Sequence, residues 1–157
     1  MVDELKPNPK KCDSNKLIES IDILKKKARN SDLQFKHSAC LLKGNKICAI
    51  GVNKCLKHIV IDNIKTKTTI HAEIDAILNS NSKNMKGMDI VIIRLGQSNK
   101  LQNSRPCNSC IEKMRKKGIR KAYYSNEYGE IVYEFIDDMP KIHISSGNLF
   151  KKRVNLN

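Results

Sequence analysis

The chain has 157 residues, enough for one compact domain with a single core and too few for two ordinary domains. Hydrophobic residues make up 39% and charged residues 29%, and no apolar run approaches the ~20 residues of a membrane helix, so no membrane partner is expected. The formal net charge of +14 suits an anionic partner such as a phosphate or nucleic acid, although the preference for Lys over Arg with abundant Asn and Ile is equally what an AT-rich coding sequence yields.

Residues 1–15 are polar, contain Pro7 and Pro9, and lack the apolar stretch of a secretory signal, so a cytoplasmic, intracellular protein is expected. Six cysteines in that setting point to metal binding, catalysis or burial rather than to disulfides. Cys40 and Cys48 sit in apolar runs and read as small core residues, while Cys12 and Cys55 fall in polar stretches and receive no role. Aromatic residues are only 4% and Trp is absent, so stacking platforms for a single nucleic-acid strand are sparse.

Ser14 reads as the cap of a helix over about 15–29, with Leu17, Ile18, Ile21, Leu24 and Ala28 recurring at three- and four-residue steps. Residues 35–42 and 47–52 read as a β-hairpin turning at 43–46, and 53–69 as a long basic loop. Thr68 or Thr69 is expected to cap a second helix over 70–80, with Ile74, Ile77 and Leu78 on its apolar face. The succession Ile90, Val91, Ile92, Ile93 within 88–95 marks a central strand buried on both faces. A polar loop over 96–105 leads to Pro106, which suits a first helical turn, and Gly118 closes a third helix over 107–117. Residues 119–125 and 130–136 flank Asn126-Glu127-Tyr128-Gly129 as a second hairpin. The order predicts an α/β protein, a three-layer α/β/α sandwich around a mixed five-stranded sheet. The domain is expected over 14–138, after a polar leader at 1–13 and before a tail at 139–157 with no clear period.

Two clusters carry chemistry, His71-Ala72-Glu73 at the start of the second helix and Pro106-Cys107-Asn108-Ser109-Cys110 at the start of the third. Cys107 and Cys110 are three apart, so their sulfurs share one helical face and supply half of a tetrahedral zinc shell. His71 makes a third ligand, and three protein ligands leave a fourth position for water, as in catalytic rather than structural zinc sites. Glu73, two residues on, can approach that position without ligating the metal, the placement a proton shuttle needs. Both clusters lie at the positive end of a helix, which favours thiolate.

The H-A-E followed by P-C-x-x-C resembles the signature of the cytidine/deoxycytidylate deaminase superfamily, and the order of elements from residue 35 to 136 is similar to that family's. The resemblance implies the cytidine deaminase-like fold, a zinc cofactor held by His71, Cys107 and Cys110, and hydrolytic loss of an exocyclic amine with Glu73 moving the protons. It also implies substrate contacts from Asn53 in Gly51-Val52-Asn53, from the backbone at Ala72 and Cys107, and from Ser104 ahead of Pro106-Cys107. Tyr124 and Tyr128 fall where polynucleotide members carry a specificity loop, although tyrosines in a hairpin are more often packing residues. The 74–105 span is longer than in compact members, and Lys100 and Arg105 in it either read a phosphate or sit in water. His37, His58 and His143 read as ordinary surface or core residues, and no second metal set is evident.

The leading reading is a hydrolase of nucleotide metabolism acting on a cytosine-type base of a free nucleoside or nucleotide. A polynucleotide deaminase is the second reading, and a non-catalytic zinc-stabilised module that binds nucleic acid or protein is the third. Retention of Glu73 disfavours the last. An antiparallel terminal hairpin resembles the free-nucleoside branch and His71 the deoxycytidylate and tRNA adenosine branch, so both stay open, as does a homo-oligomer.

Overall fold

Four successive apolar residues can be buried on both faces of a strand only if helices cover both sides of the sheet. In the computed structural model, which describes residues 6–140, that is the arrangement around residues 90–93. The elements are β1 (Lys10–Lys11), α1 (Ile18–Ala28), β2 (Lys36–Lys43), β3 (Lys46–Val52), β4 (Lys54–Ile61), β5 (Ile64–Ile70), α2 (Ala72–Asn79), β6 (Asp89–Leu95), β7 (Leu101–Gln102), α3 (Asn108–Lys116), β8 (Lys121–Ser125) and β9 (Ile131–Phe135). The main sheet runs β1-β9-β8-β6-β2-β3, with β7 added to β6. Strands β6 and β8 are parallel and the other pairs antiparallel, so the five strands expected are present and two two-residue strands extend them. One side of β6 packs Val91, Ile93 and Leu95 against Leu24 and Ala28 of α1, and the other packs Ile90 and Ile92 with Ala76 of α2 and Met114 of α3.

Several expectations are corrected. The leader is not all outside the domain, because Lys10–Lys11 pairs with the edge strand β9. Asp13, not Ser14, caps the chain's entry by accepting from the Asn15 N–H at 3.4 Å, and a 3₁₀ turn (Ser14–Leu17) precedes α1. The region taken as a long loop is a separate two-stranded ribbon, β4–β5, reversing at Asp62 and Asn63 with φ of 52° and 62°, the paired positive φ of a hairpin turn. Thr68 and Thr69 belong to that ribbon, and α2 starts at Ala72 with His71 as its N-cap. The loop 96–105 contains a 3₁₀ turn (Gln97–Asn99) and β7. Cys48 is exposed, while Cys40 is fully buried with its thiol pushed up to about 12 by that burial. In the tail, Met139 joins the core, and residues 141–157, with His143, lie outside the described residues.

Leu78, expected in the core, is 68% exposed. The reason is a close approach of α2 to β3 at Gly51, where a Cβ would stand 2.2 Å from the Ala76 nitrogen and 2.3 Å from the Ala72 oxygen. Only small residues fit on that helical face, so Ala72 and Ala76 face the sheet and Leu78, about 200° round the helix from Ala76, faces away. Among the described residues no helix is long and apolar enough to cross a membrane.

Candidate metal and catalytic site

The chain passes from β6 through β7 and α3 into the parallel strand β8, so the start of α3 lies at the carboxyl end of β6, where open α/β sheets form crevices. The start of α2 meets it there. His71 and Cys107 occupy the N-cap positions of the two helices, and Cys110 lies in the first turn of α3. His71 Nδ1 is 3.7 Å from Cys107 Sγ and 3.3 Å from Cys110 Sγ, and the three donor atoms lie within 4.8 Å of one another. Zinc at ~2.3 Å from sulfur and ~2.0 Å from nitrogen in a tetrahedral shell sets an N···S edge of about 3.6 Å. The donor set therefore fits zinc in both chemistry and spacing.

Glu73 is 5% exposed, and its Oε2 accepts from Cys110 Sγ at 3.3 Å. The carboxyl lies against the donor triangle without belonging to it. Burial raises the Glu73 pKa, partly opposed by His71. The Cys107 thiol is pulled down to about 4, first by the hydrogen bond from Cys110, and Cys110 is pushed up in return. A bound divalent cation takes both sulfurs as thiolates.

These groups border a cavity of about 490 Å³ whose wall includes Phe35, His37, Asn53, Ala72, Ser104 and Arg105. Of the substrate contacts expected from sequence, Asn53, Ala72 and Ser104 reach this cavity and Tyr124 does not line it. The Tyr124 hydroxyl donates to Glu134 Oε2 at 2.5 Å, and Arg105 Nε donates to the same oxygen at 3.0 Å. Arg105 is thus neither solvated nor free for a phosphate through Nε. Its side chain is 11% exposed, and the acid that neutralises it is 5% exposed. Burial and the Glu134 contact raise the Tyr124 pKa. The Ser104 hydroxyl is likewise occupied, donating to the Ile92 carbonyl at 2.8 Å and accepting the Ser125 N–H at 2.9 Å, which ties the loop to β6 and β8.

Sequence reasoning missed three further groups. His37, read as an ordinary residue, lines the cavity, with its pKa lowered to about 4 by burial and by Arg94. Asp75 is 6% exposed and fastens α2, accepting the Val52 N–H at 2.9 Å and pairing with Lys54 at 3.1 Å. Its place four residues after His71, one turn along the same helix face, was the available signal. Phe35 also lines the cavity, with the Arg94 guanidinium 4.5 Å from its ring centroid.

The sequence matches the family model for the cytidine and deoxycytidylate deaminase zinc-binding region over residues 13–126. No curated protein matches it. Among solved structures, the dCMP deaminase from cyanophage S-TIM5 in complex with dCMP and dUMP is similar with a TM-score of 0.51 at 21% identity, over 73% of this chain and 82% of that one. The cytidine deaminase from Burkholderia pseudomallei is similar with a TM-score of 0.54 at 16% identity, over 75% of this chain and 91% of that one. At these identities the likeness is one of fold.

Proposed function

The chain belongs to the cytidine and deoxycytidylate deaminase family, and on that premise we propose that it hydrolytically deaminates a cytosine-type base carried on a free nucleoside or nucleotide. The observation that carries this reading is the placement of Glu73, a buried carboxyl 3.3 Å from one sulfur of the metal donor set and outside that set, on the wall of a cavity. A structural zinc site has no need of such a group. The cavity, at about 490 Å³, falls in the size range of small-molecule sites, which favours a single nucleoside or nucleotide as substrate.

His71, Cys107 and Cys110 would hold the zinc, which when bound would supply the Lewis acidity that makes water a nucleophile near neutral pH. Glu73 takes the proton from the attacking water, delivers it to the ring nitrogen next to the amine-bearing carbon, and assists departure of ammonia. Its burial favours the neutral form, as for a group that holds a proton between two transfers. Phe35, braced by Arg94, offers an aromatic wall against which a planar base can lie. Ala72, at the first position of α2, lines the cavity at the positive end of the helix, where its backbone N–H would meet a substrate.

The test is ammonia release by the zinc-loaded protein from cytidine, deoxycytidine, their monophosphates and single-stranded oligonucleotides. Turnover of one or more monomers is expected. Turnover of oligonucleotides alone would replace this reading by polynucleotide deamination, and turnover of none, with zinc bound, would leave a binding module.

A further inference from the structure

Asn53 reaches the cavity, but its amide is held by the protein. Its Oδ1 accepts the His37 backbone N–H at 2.8 Å, and its Nδ2 donates to the Phe35 carbonyl at 2.5 Å and lies 3.5 Å from His37 Nδ1. Its main chain is fixed as well, with its N–H on the His37 carbonyl at 3.2 Å and its carbonyl accepting Ser31 Oγ at 2.7 Å. At 7% exposure Asn53 is a clamp across the start of β2.

The clamped partner is the group with capacity left over. Ring nitrogen Nδ1 of His37 is turned to Asn53, the ring's hydrogen bond to the Phe35 backbone falls on that same side, and no hydrogen bond joins Nε2 to another described residue. Among the described residues Arg94 Nε is the buried side-chain nitrogen left without a partner, and His37 Nε2 is not one. An unpartnered nitrogen that is not buried, on a residue lining the cavity, opens into that cavity. Alternation along β2 agrees, since His37 shares a face with Ala39 and Leu41, which pack on the side of α2 and α3.

We propose that His37 is the side chain that reads a sugar hydroxyl of the substrate through Nε2, and that Asn53 is the positioning residue that sets its ring. This deepens, and rests on, the reading of the cavity as a nucleoside or nucleotide deaminase site. A hydroxyl is the matching chemistry because it both donates and accepts, so it pairs with Nε2 in either neutral tautomer, whereas a phosphate or carbonyl oxygen pairs with only one. Arg94, opposite His37 in the β2–β6 register, and the surrounding burial keep the imidazole neutral. Two other polar groups of this wall are already in use, the Ser104 hydroxyl on Ile92 and Arg105 Nε on Glu134.

The test compares the zinc-loaded wild type with His37→Gln, His37→Asn and His37→Phe. Binding of uracil, 2′-deoxyuridine and 2′,3′-dideoxyuridine is measured by calorimetry, and deamination of cytosine and deoxycytidine by steady-state kinetics. Gln places an amide near the position of Nε2 and Asn near that of Nδ1. Deoxyuridine affinity and deoxycytidine KM are expected to worsen about tenfold in the Asn and Phe variants and to be largely rescued by Gln, the size expected for one lost hydrogen bond. Binding of uracil and kcat should change by less than about threefold. A merely structural role through Nδ1 gives the opposite rescue, by Asn and not Gln, and overturns the proposal, as does a Phe variant that binds deoxyuridine like the wild type. If the wild type deaminates nothing yet binds deoxyuridine with this pattern, the proposal stands and the deaminase reading falls. Deamination with unaltered KM in every variant gives the reverse, and failure to bind any of the ligands removes both.

Discussion

The two sides of β6 are both covered by helices with a buried apolar face and hold different contents. Toward α1, Val91 and Ile93 meet Leu24, Ala28 and Cys40, and the polar contact there is modest, Ser38 Oγ on the Leu24 carbonyl at 2.6 Å. Toward α2 and α3 the core is as apolar, yet Glu73, Asp75 and Glu134, three of the four buried carboxylates among the described residues, lie on that side. The fourth, Asp89, is bound by Arg120 at 3.0 Å where β6 begins. Burying an ionisable group is costly unless something compensates it. On the α1 side the one buried acid among the described residues, Asp89, is closed off by its pair with Arg120, whereas on the α2 and α3 side the buried acids hold a helix, neutralise an arginine or sit beside the metal donors. The first side supplies stability, and the second places chemistry on it.

The sharpest break of that contrast is at the donors. Cys110→Ser is expected to lose zinc, read by metal analysis, and to fall to background activity. Glu73→Gln is expected to keep its zinc and lose about 10²- to 10⁴-fold in kcat, the range of general acid–base catalysis. A Glu73→Gln protein with normal turnover would sink the proposed function.

Next in size is a matched pair, one from each side. Leu24 is fully buried against the sheet, so Leu24→Ala should cost about 2–5 kcal/mol in denaturant unfolding while kcat/KM of the folded protein stays within about twofold. Gly51 is neither a metal donor nor a residue of the cavity wall, yet the Cβ of Gly51→Ala would meet α2 backbone at 2.2 Å. The helix must shift, and His71 and Glu73 with it, so zinc affinity and activity should fall more than tenfold at comparable stability loss. Equal activity in the two variants would show that the sides are not distinct in function.

How much of this was legible in the sequence follows the same division. The central strand could be read because four adjacent apolar residues admit few alternatives, and the metal set because His, Cys and Glu at those spacings are uncommon and chemically specific. The ribbon β4–β5 could not. It packs on itself and not on the core, so no hydrophobic face was selected to mark it, and Ile61 and Ile64 at its turn are 57% and 67% exposed. Leu78 was misplaced because a three-residue step says where a helix has apolar side chains, not that a glycine on the facing strand admits only alanine. The Arg105–Glu134–Tyr124 group was invisible because its members come from a loop and two strands, and isolated charges in a sequence read as solvated.

That group gives a smaller effect. Removing the Tyr124 hydroxyl takes away one of two donors to Glu134 and leaves Arg105 paired. Tyr124→Phe should therefore cost about 1 kcal/mol of stability and leave substrate KM within about twofold. Glu134→Gln leaves the buried Arg105 charge without its partner, so it should cost more, and its KM should change as the cavity wall loosens. The reverse ranking, with Tyr124→Phe the more damaging to KM, would return Tyr124 to the role of a substrate contact.

The last effect appears only in acid. His37 is flanked by Arg94 from β6 and feels His71 at the start of α2, and burial is the largest cause of its pKa falling from 6.5 to about 4. Protonation is thus disfavoured in the folded chain. Between those two values the unfolded chain takes up a proton that the folded chain refuses, so stability should be fully present above about pH 6.5 and decline as pH falls toward 4, by on the order of 2 kcal/mol. His37→Gln cannot titrate there and should lose that part of the slope. Urea unfolding of both proteins at intervals from pH 7.5 to 4.5, after chelation so that metal release contributes to neither curve, measures the difference. Parallel curves would mean that His37 takes up its proton as readily in the folded protein as in the unfolded one, and below about pH 6.5 the α2 and α3 side would then hold one more buried ion than the arrangement of its neighbours can compensate.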